Sequence, residues 1–135
     1  MSVEKNKAVV RRMYNLVDTI DWVKRDYGVI DNIFNETIDD EYTYHHPNYV
    51  GFEPGPNGLK KWYHQIYDAV SELHVTVEDI FGEGDKVVTR TSFTFIDMQT
   101  GKPAKGQSIV ISYFRNGKIT EEWELFNEQL PVSME

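Results

Sequence analysis

The sequence predicts an α+β domain in which helices come first and an antiparallel meander follows. Apolar residues recur at helical spacing twice, as Val9, Met13, Leu16, Val17 and Ile20 near the start and as Leu59, Trp62, Tyr63, Ile66, Val70 and Leu73 in the middle. From His74 onward, β-branched and aromatic residues alternate with polar ones. Asn116-Gly117 sits between the last two such runs, and both residues accept the positive φ of a two-residue hairpin. No repeat or linker interrupts the 135 residues, so one domain is expected over 1–135.

Taken in order, a first helix is expected from about Val3 to Lys24, capped by Ser2 and with Glu4 in its first turn. The charged stretch "DWVKRDYG" reads as a bend. A shorter helix follows around "DNIFNETID", with Tyr27, Ile30, Ile33 and Phe34 on its buried side. "DEYTYHHP" alternates aromatic and polar residues and is stopped by Pro47, so it reads as a short strand. "NYVGFEPGPNG" is a loop, and the third helix begins after it. The strands are then "HVTVEDIF", "KVVTRTSFTFID", "QSIVISYF" and "ITEEWELFN", joined by the turns "GEGD", "MQTGKP" and "RNGK".

Composition removes several classes of function. The net charge of −8 disfavours a nucleic-acid surface, which needs a clustered basic face, and disfavours anionic lipid. With no cysteine there is no disulfide, thiolate metal site or cysteine nucleophile. The four histidines lack metal-ligand spacing, so neither a metal nor a cofactor is expected. No apolar run of membrane length or export signal is apparent, and a cytoplasmic location is the default expectation.

Four stretches carry a family resemblance: "NKAVVRRMYNLV", "PGPNGLKKWYHQI", "VTVEDIFGEGDKVVTR" and "NGKITEEWE". In this order they resemble the SnoaL-like polyketide cyclases, within the nuclear-transport-factor-2-like (NTF2-like) fold. "DTIDWVKRDYG" looks like an insertion relative to the usual shorter bend. The resemblance implies a cone: three N-terminal helices packed on a curved antiparallel β-sheet enclosing a pocket. It also implies aldol ring closure without metal or cofactor, with an acid directly after the Trp of the last strand as general acid/base. That position here is Glu124, where the family pattern usually has Asp, so this carboxyl stands one methylene further out.

Strand side chains alternate faces, which puts Glu122, Glu124, Phe126 and Thr120 on one side and Ile119, Glu121, Trp123 and Leu125 on the other. Alternation alone favours a solvated Glu face, with Ile119, Trp123 and Leu125 toward the core. The resemblance reverses that preference and turns Glu124 inward together with Glu122. Two carboxyls about 7 Å apart along a strand and poorly hydrated would titrate as a coupled pair with raised pKa. His45 and His46 face opposite sides at the end of the first strand. One of them is expected at the pocket mouth, and His45 either orients a substrate oxygen, pairs with a carboxylate or caps the loop. Tyr14, Tyr44, Trp62 and Gln107 are further candidates to line the cavity, where tyrosine hydroxyls act as fixed donors. The ligand expected is a small apolar or aromatic carbonyl compound.

Three functions compete at this stage. One is a cofactor-free cyclase or isomerase acting through Glu124. Another is a binding domain with the same pocket and no turnover. The third is a dimeric interaction module whose interior is filled by its own side chains. An apolar outer sheet face favours a homodimer in every case.

Overall fold

The structure, a computed structural model, describes residues 2–47 and 50–127. Its elements are α1 (Val3–Val17), α2 (Gly28–Thr37), β1 (Ile38–His45), α3 (Pro56–Ala69), β2 (Val70–Glu83), β3 (Lys86–Asp97), β4 (Pro103–Arg115) and β5 (Lys118–Phe126). The strands form one curved, open sheet in the order β1-β5-β4-β3-β2. The fold is α+β, with two corrections to the expected arrangement. Only α1 and α2 precede the sheet, since α3 follows β1. The sheet is also not wholly antiparallel, because β1 pairs parallel to β5.

Helix α1 is shorter than its apolar stripe suggests. Ser2 caps it as expected, its side chain accepting from the Lys5 N–H at 3.1 Å. The helix stops at Val17 because side chains downstream offer the backbone other partners. The Thr19 hydroxyl donates to the Leu16 carbonyl, and the Asp21 carboxylate accepts from the N–H groups of Val23 and Lys24 in an Asx turn. Arg25 then takes a positive φ of 56°. Its guanidinium donates at 2.9 Å to the carbonyls of Tyr67 and Val70, tying the 18–27 segment to the end of α3, whose last turn has no basic residue of its own. The apolar periodicity of α3 runs past its end: Val70 and Leu73 belong to β2 and are buried there as strand residues.

The start of α3 depends on close packing against β1. Gly55 has φ 82°, and a Cβ there would sit 2.7 Å from the Asp40 carbonyl oxygen. The core lies between the helices and the inner sheet face, where Val10, Ile30, Ile33, Phe34, Leu59 and Tyr67 meet Val87, Phe95 and Phe114.

A bulge in β5 sets the inner lining. Ile119 pairs with Phe114, but the next paired residue, Glu121, is opposite Tyr113. Thr120 is therefore the extra residue, and its hydroxyl donates to the Tyr113 carbonyl at 3.3 Å. Strict alternation across 119–125 is broken here. Ile119 is fully buried, whereas Trp123 and Leu125 are 49% and 60% exposed on the outer face. Glu122 and Glu124 turn inward with Ile119, and the bulge makes this compatible with a buried isoleucine three residues before Glu122.

Candidate active site

The inward glutamates differ because their neighbours differ. On β4, Ser112 is opposite Glu122 and Val110 is opposite Glu124. On β1, Tyr42 and Tyr44 lie on the buried face. Glu122 accepts from Tyr42 Oη at 2.8 Å and from Ser112 Oγ at 2.6 Å, one bond on each carboxyl oxygen. Glu124 accepts from Tyr44 Oη at 2.6 Å on Oε1. Its Oε2 has no hydrogen bond to any described residue. Glu122 thus has a partner on each oxygen, and Glu124 keeps one oxygen for something else.

Two small cavities meet at Glu124. One, of about 30 Å³, lies under the helices among Val10, Met13, Tyr14, Phe34, Tyr63, Tyr67 and both glutamates. The other, of about 70 Å³, lies among Tyr14, Trp62, Tyr63, Phe93, Ser108, Phe126 and Glu124. Tyr14, Tyr63 and Glu124 line both. These volumes suit a few waters or a small chemical group, against roughly 300–1,000 Å³ for a drug-sized ligand. The described residues lining them include no lysine, arginine or histidine.

Electrostatics follow from that lining. Burial pushes the Glu124 carboxyl from 4.5 up to about 7; the Tyr44 hydrogen bond opposes this and the Glu122 charge adds to it. Glu122 is also raised by burial, against the opposing hydrogen bonds from Ser112 and Tyr42. Tyr14, Tyr44 and Tyr63 are raised far above the ordinary phenol value, first by burial and then by the charge of Glu124, so they are neutral donors throughout the working pH range.

The predicted site residues divide in two groups. Glu122, Glu124, Tyr14, Tyr44 and Trp62 come together beneath the helices. His46 is buried on the same side of β1, its ring 4.5 Å from that of Phe126. His45 is elsewhere. β1 alternation turns it to the outer face, where Nε2 is 2.8 Å from Glu121 Oε2 and the ring stacks on Trp123 at 4.0 Å. It does pair with a carboxylate, but not with the inner ones. Gln107 also departs from expectation: Gly106 and Ser108 are the inward residues of β4, leaving Gln107 exposed on the outer face. Tyr42 and Ser112 were not among the residues expected at the site, whereas Tyr63 was one of the aromatics expected to be core or cavity lining. Ser112 is a polar residue at an inward position of an apolar strand, a signal readable only once the β4–β5 register is known.

A larger apolar groove of about 630 Å³ opens on the outer side, lined by His45, Val50, Phe52, Ile109, Trp123 and Leu125, and Tyr44 and Glu124 line it as well. No helix of the described residues is long and apolar enough to cross a membrane. Among the described residues no three His, Asp or Glu side chains are grouped to hold a metal ion.

The family model of SnoaL-like polyketide cyclases matches residues 7–131, and the chain belongs to that family. Solved structures agree on the fold. A candidate SnoaL-like polyketide cyclase from Jannaschia sp. CCS1 is 16% identical, covers 98% of this chain and 94% of its own, and superposes with a TM-score of 0.79. A candidate polyketide cyclase from Bacillus cereus ATCC 10987 is 28% identical over 92% of this chain and 74% of its own, with a TM-score of 0.70. AclR from Streptomyces galilaeus, named as a candidate hydroxylase, is 18% identical over 96% and 93%, with a TM-score of 0.76. No curated protein matches the chain in sequence.

Burial of Glu124 has a measurable cost. The folded protein holds this proton to about pH 7 while the unfolded chain releases it near 4.5. The folded state therefore binds more protons between those values, and its stability falls as pH rises through the window. Glu124→Gln is expected to stabilise the protein by roughly 1–3 kcal/mol at pH 8 and to change it little at pH 4.5. Urea denaturation at the two pH values checks this; equal effects at both would contradict it.

Proposed function

We propose that the protein is a cofactor-independent enzyme that moves a proton at the carbon α to a carbonyl, in an aldol cyclisation or an isomerisation, with Glu124 as general acid/base. The observation that carries this reading is the free oxygen of a partly buried carboxyl, held by Tyr44 at 2.6 Å and poised near neutral pH beside the inner cavities. Glu124 takes the α-proton: the C–H bond breaks, an O–H bond forms on the carboxyl, and the electron pair passes to the carbonyl oxygen as an enolate. In an isomerisation the proton returns to another carbon of the enolate. In an aldol closure the enolate carbon bonds to a second carbonyl carbon, and the resulting alkoxide takes the proton from Glu124. Glu122, bonded on both oxygens, acts as a neighbouring charge that helps keep the Glu124 pKa high.

Membership of the cyclase family supports this reaction class. A second reading is a binding domain without turnover, favoured by the groove of about 630 Å³ that Tyr44 and Glu124 also line, which has room for a ligand. Solvent deuterium exchange into small enolisable ketones separates the two. Wild-type protein should catalyse exchange with a rate that rises about tenfold per pH unit below 7 and levels above it, as Glu124 becomes the free base. Glu124→Gln should lose about 10²–10⁴-fold. Exchange unchanged in that variant removes Glu124 as the base, and absence of exchange in the wild type favours binding without turnover.

The outer sheet face supports a homodimer as the assembly, since Ile109, Trp123 and Leu125 are exposed there beside an apolar groove. Sedimentation should show a dimer for the wild type and a monomer for Ile109→Glu. A wild type that sediments as a monomer at tens of micromolar would contradict the assignment.

A further inference from the structure

The interior holds donors that the fold does not use. Tyr14 on α1 and Tyr63 on α3 come from different helices and line both cavities with Glu124. Tyr42 and Tyr44 spend their hydroxyls on the glutamates, but those of Tyr14 and Tyr63 make no hydrogen bond to any described residue. The two phenols lie close enough to interact electrostatically with each other and with Glu124. Phenol hydroxyls in a confined space with no protein partner are usually satisfied by a water or a ligand oxygen.

From this arrangement we propose that Tyr14 and Tyr63 jointly bind the carbonyl oxygen of the ligand, so that the site selects small uncharged ketones and rejects those carrying a carboxylate. The proposal rests on the proton-transfer reading for its chemistry and adds the residues that hold the oxygen. Two phenol O–H groups that line the same cavities can both donate to one oxygen there and stabilise negative charge as it develops on it. The selectivity has a separate cause. Two inward carboxyls and no lining cation among the described residues give the cavities a negative potential, which repels an anionic ligand. Size acts in the same direction, since an added carboxylate enlarges a ligand that must enter a cavity of about 70 Å³.

The test uses cyclopentanone labelled with ¹³C at the carbonyl and observed by NMR in the presence of the full-length protein. Bound label should move downfield, as expected for a carbonyl accepting hydrogen bonds. Tyr14→Phe and Tyr63→Phe should each reduce that displacement and weaken binding roughly fivefold to tenfold, the value of one hydrogen bond. The double variant should abolish the displacement. Tyr113→Phe, on the outer face, serves as a control that should leave it intact. Labelled levulinate, a ketone bearing a carboxylate, should show no displacement with the wild type at pH 8. In Glu124→Gln the cyclopentanone displacement should persist even though exchange is lost, which separates the oxygen site from the base. A wild type that leaves the cyclopentanone signal unmoved, or displacement unaffected in both phenylalanine variants, overturns the proposal. Levulinate bound as well as cyclopentanone overturns the selectivity.

Discussion

Two carboxyl groups in an interior with no cation among its described lining residues are the constraint around which this structure is organised. A buried carboxylate without a charge partner is costly, and the fold offsets that cost with hydrogen bonds from neutral donors. Tyr42 and Ser112 serve Glu122 completely. Tyr44 serves Glu124 on one side only. The difference traces to β4, where a serine faces one glutamate and a valine the other. A single change of residue type along one strand thus separates a carboxyl that completes the fold from one left available for chemistry.

The backbone arrangement that permits this is local. The parallel β1–β5 pairing brings two tyrosines of β1 alongside the glutamates, and the Thr120 bulge lets an apolar residue and two acids share one face of β5. The same geometry turns Trp123 outward against His45, so each face of β5 has its own character. Inside are acids, phenols and aromatic rings. Outside are an apolar groove and a histidine–glutamate pair. The tie from Arg25 to the end of α3 holds the additional 18–27 segment without reaching the inner cavities.

Much of the fold was legible because its periodicities are strong. The stripe on α3, the alternation of β3 and β4 and the Asn116-Gly117 hairpin each follow from local preference, and the structure keeps them. Boundaries were harder where a stripe outlasts its element: Ile20 is buried beyond the end of α1, and Val70 and Leu73 are buried as strand residues. The inward turn of Glu124 was not readable from alternation, which groups Ile119 with Trp123, because a bulge leaves no mark in a pattern of period two. Family resemblance supplied what periodicity lacked. His45 and Gln107 went astray for a related reason: each is adjacent to inward residues, and one register step decides its face. Tyr63 lay in plain view on an apolar stripe, but its unused hydroxyl appears only when three elements are assembled.

The central claim is that the Glu124 carboxyl is withdrawn from water and retained as a proton carrier near neutrality. Its titration followed by ¹³C NMR of the side-chain carboxyl carbon tests this most directly. An inflection close to pH 7 is expected, with a smaller one where Glu122 titrates. An inflection in the ordinary carboxylate range near 4.5 would mean that the group is hydrated, and the proposed chemistry would lose its base.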